Sequence, residues 1–297
     1  MKISSIDNYN ASYQVNYRGG LKSLNIINPA SHYLDKYFNK MAEASVKHVD
    51  PVSSVLADKI RIARINNISA WDINPAGVKE YVLFLHGMSQ NVSNYQRLYE
   101  TIAGKNKGIF ALEYRGYGLN SSARISEDKL RKDVEKAYNY LTEKKQVKPE
   151  NITVIGHSMG GALAADFASK HDNLKALILI SPISKISYLG GKFMQNKNLG
   201  VGMPEKIKKF TDKFRLLSKL FDLRFNSINK MKKISVPTYI LQSKNDSVTT
   251  KEGASALIKT ARRRGVLKDF RYLPLGGHKV DSKKISIVAE MLDKIYG

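Results

Sequence analysis

Cysteine is absent from the chain, which excludes a disulfide framework, thiolate nucleophiles and any cysteine-ligated metal. Long apolar runs are missing too: no stretch approaches the roughly 18 uncharged apolar residues of a membrane span. The first residues, Met1-Lys2-Ile3-Ser4-Ser5-Ile6-Asp7-Asn8, contain no apolar signal-peptide core. Together these absences set the expectation of a cytoplasmic protein. Neither a His-Glu-x-x-His spacing nor a glycine-rich phosphate loop occurs, so no metal-site spacing or phosphate cradle is signalled. Acid is also scarce, with Lys plus Arg at 49 against Asp plus Glu at 26, a formal net charge of +23. Charge of this size bears on anionic partners and not on fold. Nucleic acid, anionic lipid and acidic substrates all qualify, as does a lysine-rich composition with no dedicated partner. No module interleaves aromatic with basic residues, so a nucleic-acid partner is not expected.

What is present is a chain of 297 residues with 42% hydrophobic content, enough for one large α/β domain. Residues 1–50 are rich in Asn, Ser and Tyr and read as a partly disordered arm with one helix around Ser31 to Val46. Residues 51–297 read as the folded domain. Alternation from Ala57 to Ala70 suggests leading strands, and the run Trp71 to Gly77 reads as a turn. Tyr81-Val82-Leu83-Phe84-Leu85, Gly108-Ile109-Phe110-Ala111-Leu112, Asn151-Ile152-Thr153-Val154-Ile155 and Ala176-Leu177-Ile178-Leu179-Ile180 are continuous apolar runs, as strands covered on both faces require. Pro237 to Leu241 and Phe270 to Leu273 extend the series. Helical stretches fall between them, among them one capped by Ser126 with the stripe Leu130, Val134, Ala137, Tyr138 and Leu141. Strands alternating with helices predict a mainly parallel central sheet with helices on both faces. In such sheets reactive groups sit beyond the carboxyl ends of the strands.

Gly156-His157-Ser158-Met159-Gly160 stands between one of those strands and the strong helix former Ala162 to Ala168. Strand, Gly-x-Ser-x-Gly, helix is the setting of a nucleophile elbow, where a tight turn holds a serine in strained backbone space and demands small neighbours. Without those flanks the motif would read equally well as a glycine-rich turn with an incidental serine. A serine hydroxyl needs a base. His278, in a glycine loop after the last strand, is the best placed of six histidines. His32 and His48 lie in the arm, His86 in a strand-end motif, His157 inside the elbow and His171 at a helix end. The base needs an acid to orient it, and Asp246 follows the penultimate strand. An oxyanion needs fixed N–H donors, and the backbone amides of Met88 and Met159 are the candidates.

With these motifs in view the chain resembles the α/β-hydrolase superfamily, and within it the monoacylglycerol-lipase-like, BEM46-like and S33-type serine hydrolases. The resemblance rests on His86-Gly87, Glu113-Tyr114-Arg115-Gly116-Tyr117-Gly118, the elbow with Gly161, the Asp246 turn and Gly276-Gly277-His278. It covers roughly residues 60–297. It implies cofactor-free hydrolysis of a carboxylic ester, thioester or amide through an acyl-enzyme. Glu113 departs from the more usual aspartate of its motif. The resemblance also places a lid insertion at about 184–234, where residues 185–233 hold 13 Lys/Arg and 3 Asp/Glu. Ile207, Phe210, Phe214, Leu217 and Phe221 form one helical stripe there, suited to covering a site or to lying on an anionic membrane. The expected substrate is a small-molecule or lipid acyl ester. An acyl-protein or acyl-CoA thioesterase is the alternative, and an aminopeptidase, for which the basic insertion offers no acidic pocket, stands third. A non-catalytic protein using a hydrolase scaffold to bind an anionic surface is the rival from another class. Oligomeric state is not legible.

Overall fold

A computed structural model of the chain describes residue 39 and residues 50–74, 77–120, 124–189 and 224–297. The expected arm helix and the amphipathic stripe of the insertion lie outside the described residues. Asn39, within the arm, exchanges hydrogen bonds of 2.9 and 3.0 Å with the backbone of Ile125.

Strands β1 (Ile60–Ile65) and β2 (Ile68–Ile73) form a hairpin around Asn66-Asn67, with Asn66 at a φ of +55°. Asparagine tolerates this left-handed geometry better than other non-glycine residues. The expected turn at Trp71 to Gly77 is corrected here: Trp71, Asp72 and Ile73 belong to β2, all buried. Pro75 and Gly77 punctuate the sequence only after the strand has ended. Next come β3 (Tyr81–Leu85), helix α1 (Gln96–Gly104), β4 (Gly108–Glu113), α2 (Glu127–Asn139), β5 (Ile152–His157), α3 (Met159–Ala168) and β6 (Ala176–Ile180). After β6 follow α4 (Ser227–Met231), β7 (Thr238–Ser243), α5 (Lys251–Arg264), β8 (Leu267–Leu273) and α6 (Ser282–Tyr296).

The eight strands make one sheet in the order β1-β2-β4-β3-β5-β6-β7-β8. β1 and β2 run antiparallel to their neighbours, and the strands from β3 onward are mutually parallel. Period-two alternation divides the apolar strand residues between two cores. Leu83, Leu85, Phe110 and Val154 pack with Leu130 and Val134 of α2, Leu163 and Phe167 of α3 and Leu257 of α5. Val82, Phe84, Ile155 and Ile178 pack with Leu98, Tyr99 and Ile102 of α1 and Val288, Met291 and Leu292 of α6. Helices thus cover both faces, as expected for the α/β-hydrolase fold. Ser126 caps α2 through a 3.4 Å bond from Lys129 N, as its sequence predicts.

The described residues on either side of 190–223 are pinned to the sheet and its helices. Leu189 bridges Thr249. On the return, the buried Glu127 carboxylate accepts the amide of Phe225 at 3.0 Å, and Lys230 of α4 reaches Asp166 of α3 at 2.5 Å.

Candidate active site

The carboxyl ends of β3, β5, β7 and β8 converge on one serine. Ser158 sits between β5 and α3 with a φ of +56° and a ψ of −115°. Side chains other than glycine rarely adopt such a φ, and the surrounding packing must hold it there. That packing leaves no room for side chains. A Cβ on Gly160 would stand 2.0 Å from the carbonyl oxygen of Leu85, and one on Gly156 would stand 2.3 Å from that of Gly160. The two glycines let the strand and the helix pass at backbone contact.

His278 Nε2 lies 2.9 Å from Ser158 Oγ. On the other side its Nδ1 meets Asp246 Oδ2 at 2.9 Å and Oδ1 at 3.1 Å. A carboxylate accepts only, so Nδ1 carries the proton and Nε2 is left to accept from the serine hydroxyl. Asp246 is itself held: Oδ1 accepts the amides of Val248 and Thr249, each at 2.9 Å, and Oδ2 accepts the Thr249 hydroxyl at 3.0 Å. Burial pushes the Asp246 carboxyl up, but the His278 imidazole and these amides outweigh it and hold the group well below the ordinary carboxylate range. The three residues named from sequence therefore meet, although 120 and 32 positions separate His278 from its two partners.

Met159 opens α3, where a backbone N–H has no partner within the helix. Met88 lies in the loop after β3, and the preceding amide, Gly87 N, donates to the Tyr95 hydroxyl at 3.0 Å. Both methionines are buried, Met88 at 3% and Met159 at 0% exposure.

A family model described as "Serine aminopeptidase, S33" matches residues 76–214. A putative esterase/lipase of Mycoplasma pneumoniae is 30% identical over 125 residues, 42% of this chain and 46% of that one. Human alpha/beta hydrolase domain-containing protein 17C is 30% identical over 190 residues, 63% of this chain and 50% of that one. An alpha-beta hydrolase of Vibrio vulnificus superposes with a TM-score of 0.67 at 18% identity, covering 94% of this chain and 98% of that one. An esterase of Pyrococcus furiosus gives a TM-score of 0.63 at 19% identity, over 80% and 91%. The chain has the α/β-hydrolase fold, and its residues 76–214 are similar to the S33 hydrolase family. It spans about half the length of the first curated relatives it matches.

In this α/β-hydrolase fold the other described histidines make structural contacts. His86 lies 3.2 Å from the buried Glu113 carboxylate and beside the rings of Tyr114 and Tyr117. Glu113 in turn packs against Gly118, where a Cβ would come within 2.2 Å of its carboxylate. His171 bonds Glu135 on the surface. His157 is different. Sequence reasoning set it aside as part of the elbow, yet its Nε2 lies 2.9 Å from the backbone oxygen of His278. Lys284 was missed altogether, although it is fully buried beneath the same loop. Its signal was legible: it falls in one helical stripe with Val288, Met291 and Leu292, where an apolar residue is the rule. Among the described residues no group of three His, Asp or Glu is placed to hold a metal, and no helix is long and apolar enough to cross a membrane.

Proposed function

We propose that the protein is a serine hydrolase that cleaves the carboxylic ester of an apolar acyl group through an acyl-enzyme. The observation that carries this reading is the unbroken contact from Ser158 Oγ through the His278 ring to the Asp246 carboxylate. Ser158 Oγ attacks the acyl carbonyl carbon while its proton passes to His278 Nε2. Asp246, already ionised and hydrogen-bonded at three donors besides the ring, stabilises the imidazolium. The amides of Met88 and Met159 donate to the oxyanion. As the tetrahedral intermediate collapses, His278 returns the proton to the departing alcohol. Water then attacks the acyl-serine with His278 again as base, releasing the acid and the free hydroxyl.

The esterase and lipase names among the relatives favour an ester over an amide. The basic insertion argues against a pocket for a substrate's ammonium group, which an aminopeptidase needs. Activity belongs to residues 51–297, and the insertion at about 184–234 admits the acyl chain, at an anionic surface where one is present. A fluorophosphonate probe tests the core of the reading: it should label the protein at Ser158, and Ser158→Ala should lose the label. On an activated acyl ester the same variant should lower kcat on the order of 10⁴- to 10⁶-fold. A wild-type protein inert to the probe and to a panel of esters and thioesters would overturn it. Chain-length dependence, with and without anionic vesicles, sorts lipid esters from short ones, and a preference for thioesters selects the thioesterase reading.

A further inference from the structure

His278 stands on a loop with little backbone support. Gly276 and Gly277 have φ values of +136° and +59°, and Leu275 beside them is 67% exposed. Among the described residues no backbone N–H reaches the carbonyls of Gly277, His278 or Lys279. Three consecutive acceptors are instead taken by two side chains. Lys284 Nζ donates to Gly277 O and to Lys279 O, both at 2.7 Å, and His157 Nε2 donates to His278 O at 2.9 Å. On the outer side Gly277 N donates to Asn245 Oδ1 at 3.0 Å, next to Asp246.

The lysine sits where chemistry disfavours it. It is 0% exposed, although lysines are almost never fully buried unless paired. It also lies in the first turn of α6, the positive end of that helix's dipole. Burial pulls its ammonium below the ordinary value, and the carboxylates of Asp246 and Asp281 only partly offset that. His157 is likewise buried. Desolvation, with the charges of His278 and Lys284 nearby, drives its imidazole well below the ordinary histidine value and keeps it neutral. A carbonyl can only accept, so Nε2 carries the proton. Nδ1 lies 2.8 Å from the Tyr95 hydroxyl, which also touches Gln90 Oε1 and accepts the amide of Gly87. The same histidine thus joins the base's loop to the loop that carries Met88.

We propose that Lys284, as a buried ammonium, and His157 are positioning residues that clamp the three carbonyls of 277–279, so that the His278 ring stays aligned between Ser158 and Asp246. The proposal rests on the serine-hydrolase reading. A loop with two left-handed glycines samples many ring positions, and a displacement of 1 Å at a proton-transfer distance lowers rates by about 100-fold. The clamp acts on the aligned state and not on substrate affinity, so it appears in kcat. The titratable groups facing Lys284 are Asp246 beyond β7, Asp281 at the N-terminus of α6, His157 at the end of β5 and His278 on the loop itself.

The test compares Lys284→Met, which fills the space without donors, with His157→Gln and His157→Leu, where only glutamine keeps an N–H near the Nε2 position. On a p-nitrophenyl acyl ester, Lys284→Met and His157→Leu should lower kcat by about 10- to 100-fold with KM changed less than about twofold. Labelling of Ser158 should slow in parallel, and His157→Gln should recover most of the loss. Hydrogen exchange should rise at 276–281 and stay unchanged across β3, β5 and β6. Wild type should show an alkaline loss of activity, below the ordinary lysine value of 10.5, that Lys284→Met lacks. A Lys284→Met protein with wild-type kcat and the same alkaline limb overturns the clamp while leaving the hydrolase reading intact. So does a loss of activity accompanied by a uniform rise in exchange, which marks a fold residue only. A wild-type protein whose Ser158 is inert to the probe removes the hydrolase reading and the clamp with it.

Discussion

The two halves of the site are held in place by different means. Ser158 is fixed by backbone: a strand runs into a helix through a residue at positive φ, with carbonyls pressed against Gly156 and Gly160. His278 is fixed by side chains: a permissive glycine loop whose carbonyls are taken by Lys284 and His157. A serine acting as the proposed nucleophile needs one unyielding position, which steric exclusion supplies at no cost in polar burial. In the proposed reaction the base accepts and returns a proton twice per turnover, and hydrogen-bonded support lets its ring be held without strain. The first design tolerates no added atom, whereas the second degrades by steps as each donor is removed.

Substitutions can sharpen that contrast. The largest effect is expected on the steric side. Gly160→Ala puts a methyl 2.0 Å from Leu85 O, so β3 and α3 must separate. It should cost several kcal/mol, enough to leave no labelled serine and a collapsed thermal transition, measured by circular dichroism and probe labelling. Next comes Asp246→Asn, which preserves shape but not charge. It should lower kcat about 10³- to 10⁴-fold with the fold retained. The same pair reports on pH. Because the folded-state pKa of Asp246 is depressed below the ordinary 3.8, its ionised form contributes stability above that value, and the contribution is lost as pH falls through the folded pKa. Urea midpoints of wild type should therefore exceed those of Asp246→Asn by a constant margin at neutral pH, and the margin should shrink in strong acid. An unchanged margin down to pH 2 would contradict the depressed carboxyl. The smallest effect is expected on the linking side. Tyr95→Phe removes the acceptor of Gly87 N and the partner of His157 Nδ1, both buried, at about 1–3 kcal/mol of stability. Its kcat should fall only severalfold, because Lys284 still holds two of the three carbonyls.

The sequence disclosed the steric half of the site and only the tip of the other. Gly156, Ser158 and Gly160 lie within five residues, so their meaning is local. Asp246 and His278 were legible because each follows a recognisable apolar strand. His157 and Tyr95 act across distances of 121 residues from His157 to the loop and 62 from Tyr95 to His157, which no local pattern encodes. Lys284 left a trace as a charge in an apolar stripe, whereas Tyr95 and His157 left none. In the fold, alternating apolar runs announced the parallel strands. The β1–β2 hairpin was blurred because Asn66-Asn67 is a weak turn signal beside the stronger Pro75 and Gly77, so the end of β2 read as loop.

Among the described residues β8 has a neighbouring strand on one side only, and the loop bearing His278 springs directly from its end. The proposed proton carrier is therefore mounted at the margin of the described sheet, while the hydroxyl it would serve is anchored near its centre. Fraying begins at such margins and spares interiors. On warming, chemistry would fall silent while most of the architecture still stood, which makes catalytic output an early gauge of loosening at that outer strand.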